Sequence, residues 1–238
     1  MSKKIIVQDW GRIAYQAAWD KQTVLFEQVI ATKLNNRKAT AGDRIAPVHY
    51  FLFAEHPHVY TLGRNGKAEH LLLSEEELEQ KEATFFKINR GGDITYHGLG
   101  QVVGYPILDL DEFFTDIGRY IRFLEEMVIR TLAEYEVIGA RIKGLSGVWI
   151  DADLPTARKI CAVGVHLSRW TTMHGFAFNI NTDLSYFEHI VPCGIDDKAV
   201  TSLQQELGKA VDMEIIKQQL VKHFVVLFEA ELMSETTS

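Results

Sequence analysis

Cysteine is scarce in this chain of 238 residues: only Cys161 and Cys193 occur, too few for a secreted disulfide framework and without the paired spacing of a zinc site. A reducing, cytoplasmic setting is therefore expected. Positive charge is short as well, because 25 Lys and Arg stand against 32 Asp and Glu, and the formal charge of −7 repels nucleic acid and anionic membranes. Neither is expected as a partner. No run approaches the roughly 18 apolar residues of a spanning helix, and the opening MSKKIIVQDW has too short an apolar stretch for a signal-peptide core. A soluble protein is expected. The chain also lacks a Gly-Lys-Ser/Thr phosphate loop, a Gly-x-Ser-x-Gly elbow and any histidine triplet at metal-ligand spacing, although His56, His58, His97, His166, His174 and His189 are among its nine histidines. No cofactor and no metal are expected.

What the chain does have is a globular composition, 47% hydrophobic and 24% charged, and a length sufficient for one large core. Residues 1–233 read as a single domain and 234–238 as a disordered tail. Apolar residues from Ile117 to Tyr135 recur at steps of three and four, which predicts a helix over 115–135 with Thr115 as cap. Val211 to Phe228 repeat the pattern, Ala14, Ala17, Ala18, Leu25 and Val29 do so more weakly, and Ser74 with Glu77 has capping-box spacing. Residues 35–43 read as a polar loop. Strands are predicted at 47–55, 59–63, 83–88, 93–97, 101–110, 147–151, 159–167 and 174–181. Runs of strands with few helices between them define an α+β class, with a mixed, largely antiparallel sheet flanked by helices.

Three segments could carry chemistry. RGGDITYHGLGQ at 90–101 packs four glycines beside Arg90, Thr95, His97 and Gln101, which suits close backbone approach to a ligand and equally suits a hairpin with glycine turns. Lys159 leads into the apolar strand Ile160–Val165, either as a solvated strand end or as a buried amine. Strand alternation puts Cys161 on its face, so Cys161 competes for the role of reactive thiol, although apolar surroundings make a thiol inert. Cys193, between Pro192 and Gly194, is held as a nucleophile requires, or is an incidental loop cysteine.

Taken together, HPHVYTLGRNGKAEHLL at 56–72, RGGDITYHGLGQVVGYPILDL at 90–110, KICAVGVHLSRWTTMHGFAFNIN at 159–181 and PCGI at 192–195 resemble the octanoyltransferase family, the lipoyl(octanoyl) transferases. The resemblance runs from about Tyr15 to Gly208. It implies a fold shared with lipoate and biotin protein ligases. It also implies transfer of an octanoyl group from octanoyl-acyl carrier protein to a lysine of lipoyl domains, in 2-oxoacid dehydrogenases or the glycine cleavage H protein, as the first step of de novo protein lipoylation. Cys193 would be the acylated nucleophile and Lys159 its partner. Arg90, Gly91, Gly92, Asp93, Ile94, Thr95, Tyr96, His97, Ala162, Val163, Gly164, Gly175, Phe176 and Ala177 would bind substrate, with small residues leaving a narrow slot for a straight chain.

Within that resemblance, the proton released in the second half-reaction could pass to Lys159 or to His97, and backbone amides of the glycine-rich segment or of Ala162–Gly164 could hold the oxyanion. A basic mouth drawn from Arg64, Lys67, Arg141, Lys143 and Arg158 would steer the acidic donor. Two departures from the family pattern are Leu99, where proline is usual, and Cys161, where alanine or serine is usual. An amidotransferase moving octanoyl or lipoyl groups, an ATP-dependent lipoate ligase and a silent lipoyl-domain-binding module are the rival functions. A monomer is the simpler expectation.

Overall fold

A computed structural model describes residues 3–40, 42–191 and 199–233, so Cys193 and the expected tail at 234–238 lie outside the described residues. Twelve strands and five α-helices follow one another among the described residues. They are β1 (Lys3–Arg12), α1 (Tyr15–Lys38), β2 (His49–Glu55), β3 (Val59–Leu62), α2 (Glu75–Gln80), β4 (Thr84–Lys87), β5 (Ile94–His97), β6 (Gln101–Ile107) and α3 (Ile117–Ala133). After these come β7 (Gly139–Ile142), β8 (Leu145–Ile150), β9 (Arg158–Ser168), β10 (Thr171–Asn179), β11 (Ala199–Val200), α4 (Leu203–Leu207), α5 (Met213–Phe228) and β12 (Ala230–Leu232).

The main sheet runs β12-β1-β2-β6-β10-β9-β8-β7, with β11 beside β9, and a small sheet runs β4-β3-β5. β1 pairs parallel with both β2 and β12, whereas the steps from β2 through β6, β10, β9 and β8 to β7 are antiparallel. The α+β expectation holds. Alternation decides which layer each strand residue joins. Phe51, Phe53, Val102, Phe176 and Phe178 face α3 and α5 in one core, while Leu52, Ala54, Val103, Tyr105 and Ala177 face α1 in another. On α3, Leu124, Met127, Val128 and Leu132 are fully buried, each contributing roughly 1.5–3 kcal/mol. No helix among the described residues is long and apolar enough to cross a membrane.

Several sequence expectations need correction. No element is expected at 3–12, where β1 forms; of its residues only Ile5 is fully buried, so its alternation is faint. The cap of α3 is Asp116, which accepts the Arg119 amide hydrogen at 2.8 Å, and not Thr115. α1 continues through the expected loop to Lys38 and buries Tyr15, Ala18, Gln22, Phe26, Val29, Ile30 and Lys33, while Ala17 is exposed. Two polar residues in that stripe, Gln22 and Lys33, hide its period from a hydrophobicity count. The capping box at Ser74 and Glu77 forms as expected. Leu99 and Gly100 make a turn in which Gln101 N–H donates to Gly98 O and Gly100 has φ +78°, the pattern of a type II turn, so this turn closes without the usual proline.

The buried stripe of α1 is anchored by Lys33, whose Nζ donates to Asp109 Oδ1 at 2.5 Å and to the Arg169 carbonyl at 2.7 Å, and pairs with Asp111 Oδ2 at 2.7 Å. That carbonyl belongs to the two-residue β9–β10 turn, where Arg169 (φ +50°) and Trp170 (φ +61°) sit in a region that non-glycine residues avoid. Replacing Lys33 by Met leaves the buried Asp109 carboxylate without its cation, while Asp111 keeps Arg37, and removes a support of this turn. Lys33→Met should lose about 3–5 kcal/mol in denaturant titrations.

Candidate active site

A cavity of about 420 Å³ opens between the β9–β10 face, the small sheet and the N-terminus of α1. Residues 90–93 form its roof. Their backbone runs beside the end of β3, where Arg64 N–H donates to Arg90 O, Asn65 N–H to Gly92 O and Gly63 N–H to Asp93 O. Gly91 N–H is engaged by Val165 O at 2.9 Å, so this amide does not face a ligand. Arg90, Gly92, Asp93, Ile94, Thr95, His97, Ala162, Val163, Gly164, Gly175, Phe176, Ala177 and Lys159 line the cavity, whereas Gly91 and Tyr96 do not. Tyr96 lies in the core of the small sheet, with its hydroxyl 2.6 Å from His58 Nδ1.

The glycines act differently from a simple narrow slot. A Cβ on Gly164 would stand 3.0 Å from Arg90 Cδ, and one on Gly175 would stand 2.2 Å from Gly104 O on β6. Those two positions admit the Arg90 side chain and the neighbouring strand. Arg90 is a buried cation that donates to Thr61 O (2.6 Å), Thr61 Oγ1 (3.0 Å) and Gly91 O (3.0 Å), while its Nε–H has no partner among the described residues. No carboxylate forms an ion pair with it among the described residues.

β9 carries the other cation. Opposite β8, Val148 pairs with Cys161 and the next residue, Trp149, pairs with Lys159, so Ile160 is an extra residue on β9, a bulge. The bulge overturns the expected alternation: Ile160 and Cys161 both enter the α3/α5 core, while Lys159, Ala162 and Gly164 face the cavity. Burial pushes the Cys161 thiol well up, as expected of an inert core thiol. Cys161→Ala should lose about 1 kcal/mol of stability by thermal unfolding and keep most catalytic activity. The Lys159 ammonium lies over the Trp149 ring, 4.7 Å from its centroid, and makes no hydrogen bond or ion pair with any described residue. Burial lowers its pKa; the nearby Cys161 opposes that shift and the Arg90 charge adds to it.

Lys159 also sits next to Val200 and Thr201, which follow the segment that contains Cys193. β11 pairs with β9 at Val200–Lys159 and Thr201 N–H donates to Lys159 O at 2.9 Å. At the other end Ile190 bridges Leu71, and Val191 N–H donates to His70 O. Ile190, Ala199 and Val200 all line the cavity, so described residues on either side of 192–198 lie at its wall.

A chain of amides ties His97 to this corner. His97 Nδ1 meets Gln101 Oε1 at 2.9 Å, Gln101 Nε2 donates to Asn179 Oδ1 at 2.9 Å, and Asn179 Nδ2 donates to Thr201 O at 3.0 Å. Because Gln101 Oε1 accepts, Nδ1 of His97 carries the proton, and Nε2 turns to the Thr61 hydroxyl at 3.4 Å. Burial, assisted by His56, lowers the His97 pKa to about 3, so this imidazole stays neutral and is a poor base. Trp149, Asn179, Tyr15 and His174 also line the cavity, although the sequence assigned none of them a catalytic or substrate-binding role.

Of the five basic residues expected at the mouth, three are ion-paired. Arg141 is paired with Glu125 (3.0 Å) and Glu126 (2.8 Å), and Arg158 with Asp151 and Glu206. Lys67 is 3.5 Å from Glu69. Arg64 and Lys143 are exposed, unpaired among the described residues, and next in sequence to the lining residues Asn65 and Gly144.

A family model described as the lipoyl protein ligase A/B catalytic domain matches residues 14–225, and the chain belongs to that family. Within it the chain is 56% identical over 236 residues to the octanoyltransferase of Cytophaga hutchinsonii, covering 99% of this chain and 97% of that one. It is 58% identical to the octanoyltransferase of Christiangramia forsetii, covering 98% and 99%. Among solved structures, a bi-partite lipoate protein ligase of Thermoplasma acidophilum shares the fold with a TM-score of 0.64 at 15% identity, over 98% of this chain and 88% of that one.

Proposed function

We propose that the chain is a cytoplasmic acyltransferase that moves an octanoyl group from octanoyl-acyl carrier protein to a lysine of lipoyl domains, through a thioester on Cys193 with Lys159 as proton carrier. The supporting observation is the half-buried Lys159 amine, which has no acid partner among the described residues, whose strand pairs with Val200 after the segment bearing Cys193, and which lines the same cavity as Ile190 before it. A free thiol titrates near 8.5, and an amine whose pKa is lowered by burial can take its proton, leaving an ammonium–thiolate pair. The sulfur attacks the donor carbonyl, the carbonyl pair moves to oxygen, and collapse expels the carrier thiolate, which takes the proton from Lys159. One thioester is exchanged for another, so no ATP enters. In the second half the acceptor amine attacks, passes its proton to Lys159 and expels the Cys193 thiolate. The neutral, hydrogen-bonded His97 leaves Lys159 as the acceptor. At about 0.8 kcal/mol per buried methylene, the octanoyl tail can supply several kcal/mol of holding energy in the cavity.

Intact-mass analysis after mixing with octanoyl-acyl carrier protein tests this: a hydroxylamine-labile adduct on Cys193, formed without ATP, is expected. An ATP requirement, or acylation elsewhere, overturns it. Arg64 and Lys143 should steer the acidic donor, so raising salt from about 0.05 to 0.5 M should slow transfer from the carrier protein several-fold and leave transfer from octanoyl-pantetheine unchanged in stopped-time assays.

A further inference from the structure

Asn179 is held in one orientation. Its Oδ1 accepts from Gln101 Nε2 and one hydrogen of its Nδ2 goes to Thr201 O, which leaves the second Nδ2 hydrogen without an acceptor among the described residues. The residue is 4% exposed, and it lines the cavity. It also adjoins Lys159, because the Thr201 that accepts from Asn179 donates its own amide to Lys159 O. A buried amide donor with a fixed direction and an unspent hydrogen, facing a cavity beside the proton carrier, is arranged for an oxygen that becomes negative. Within the glycine-rich segment, whose amides the sequence nominated for this task alongside those of Ala162–Gly164, the Gly91 amide is spent on Val165.

We propose that the free Nδ2 hydrogen of Asn179 binds the oxyanion of both tetrahedral intermediates, making Asn179 a catalytic residue. This rests on the acyl-transfer reaction proposed above. In the first half-reaction the carbonyl π pair moves onto oxygen as the nucleophile's bond to carbon forms; Asn179 holds that O⁻ until the pair returns and the bond to the carrier sulfur breaks. In the second half the same oxygen is held while the acceptor nitrogen adds and the enzyme sulfur leaves. Asn179 itself gains and loses no proton, so its contribution does not depend on pH.

That independence separates an oxyanion donor from a residue that merely positions Lys159. The experiment compares parent, Asn179→Ala and Asn179→Ser in single turnovers of each half-reaction across pH, with thermal unfolding measured alongside; the serine variant is the smaller perturbation should the alanine variant fold poorly. The expected result is a fall of roughly 100- to 1,000-fold in both half-reactions, with KM for the donor within a few-fold of the parent and the midpoint of the pH–rate profile unmoved. Rates within threefold of the parent, or a shifted pH midpoint, overturn the proposal while parent acylation still stands. If the parent itself forms no acyl adduct, the acyl-transfer reading fails first and the proposal falls with it.

Discussion

Lys159→Met should fold normally and lose two to four orders of magnitude in octanoyl transfer, the range expected when a positioned proton carrier is removed. The fold should tolerate the change, because the ammonium has no ion pair among the described residues and lies on the Trp149 face, where a thioether of similar length packs well. Lys159→Arg is the sharper variant. It keeps the positive charge but cannot give up a proton near neutrality, so it should form some acyl-enzyme and fail in the second half-reaction. Because burial lowers the lysine pKa, the parent rate should rise with pH along a limb centred below the ordinary lysine value of 10.5, and that limb should vanish in the arginine variant. Single-turnover rates of each half-reaction measure both effects. Near-parental activity in Lys159→Met would remove the proton carrier from the scheme. Cys193→Ala should abolish transfer altogether, in contrast to Cys161→Ala.

Stability should collapse in mild acid. His49, His56, His97 and His174 are buried, and burial lowers their pKa values to about 4, 4, 3 and 3. Each is held as a neutral ring: His49 Nδ1 accepts from the Asp109 amide, His56 spans Ile13 O and the Tyr105 hydroxyl, and His174 Nε2 bonds Asn89 Oδ1. Since the folded values lie below the unfolded value of about 6.5, the unfolded chain binds more protons, and stability present above pH 6.5 is lost as pH falls toward 4. Between about pH 7.5 and 5.5 each ring forfeits roughly 1.4 kcal/mol, on the order of 5 kcal/mol for the four. Urea titrations at stepped pH should show this slope, and His49→Gln should reduce it by about a quarter. A flat profile across that range would mean that these rings charge without unfolding the protein.

Both expectations rest on features of unequal legibility. The helices with an unbroken apolar stripe, α3 and α5, and the alternating strands of the sheet's centre were readable, because a burial pattern is written directly in their residues. β1 and the last turns of α1 were not, because their partners are distant: Asn36 closes on Ile45 through both its amide atoms, and Arg37 reaches Asp111. Within the site, the strings around Arg90 and Lys159 marked segments that line the cavity, yet alternation misplaced Cys161 because a bulge adds one residue that only pairing with β8 reveals. Asn179 and Trp149 had no local mark, since each matters through what it faces across the sheet.

By itself, then, the order of residues determined the α+β class and the family, because these depend on composition and motif along the chain. Which atoms face the cavity was decided in three dimensions. The bulge turned Lys159 outward and Cys161 inward, burial made His97 a neutral strut, ion pairs silenced Arg141 and Arg158, and the amide chain aimed Asn179. Each of these follows from contacts between residues far apart in sequence, whose desolvation and hydrogen bonding exist only once the strands have assembled.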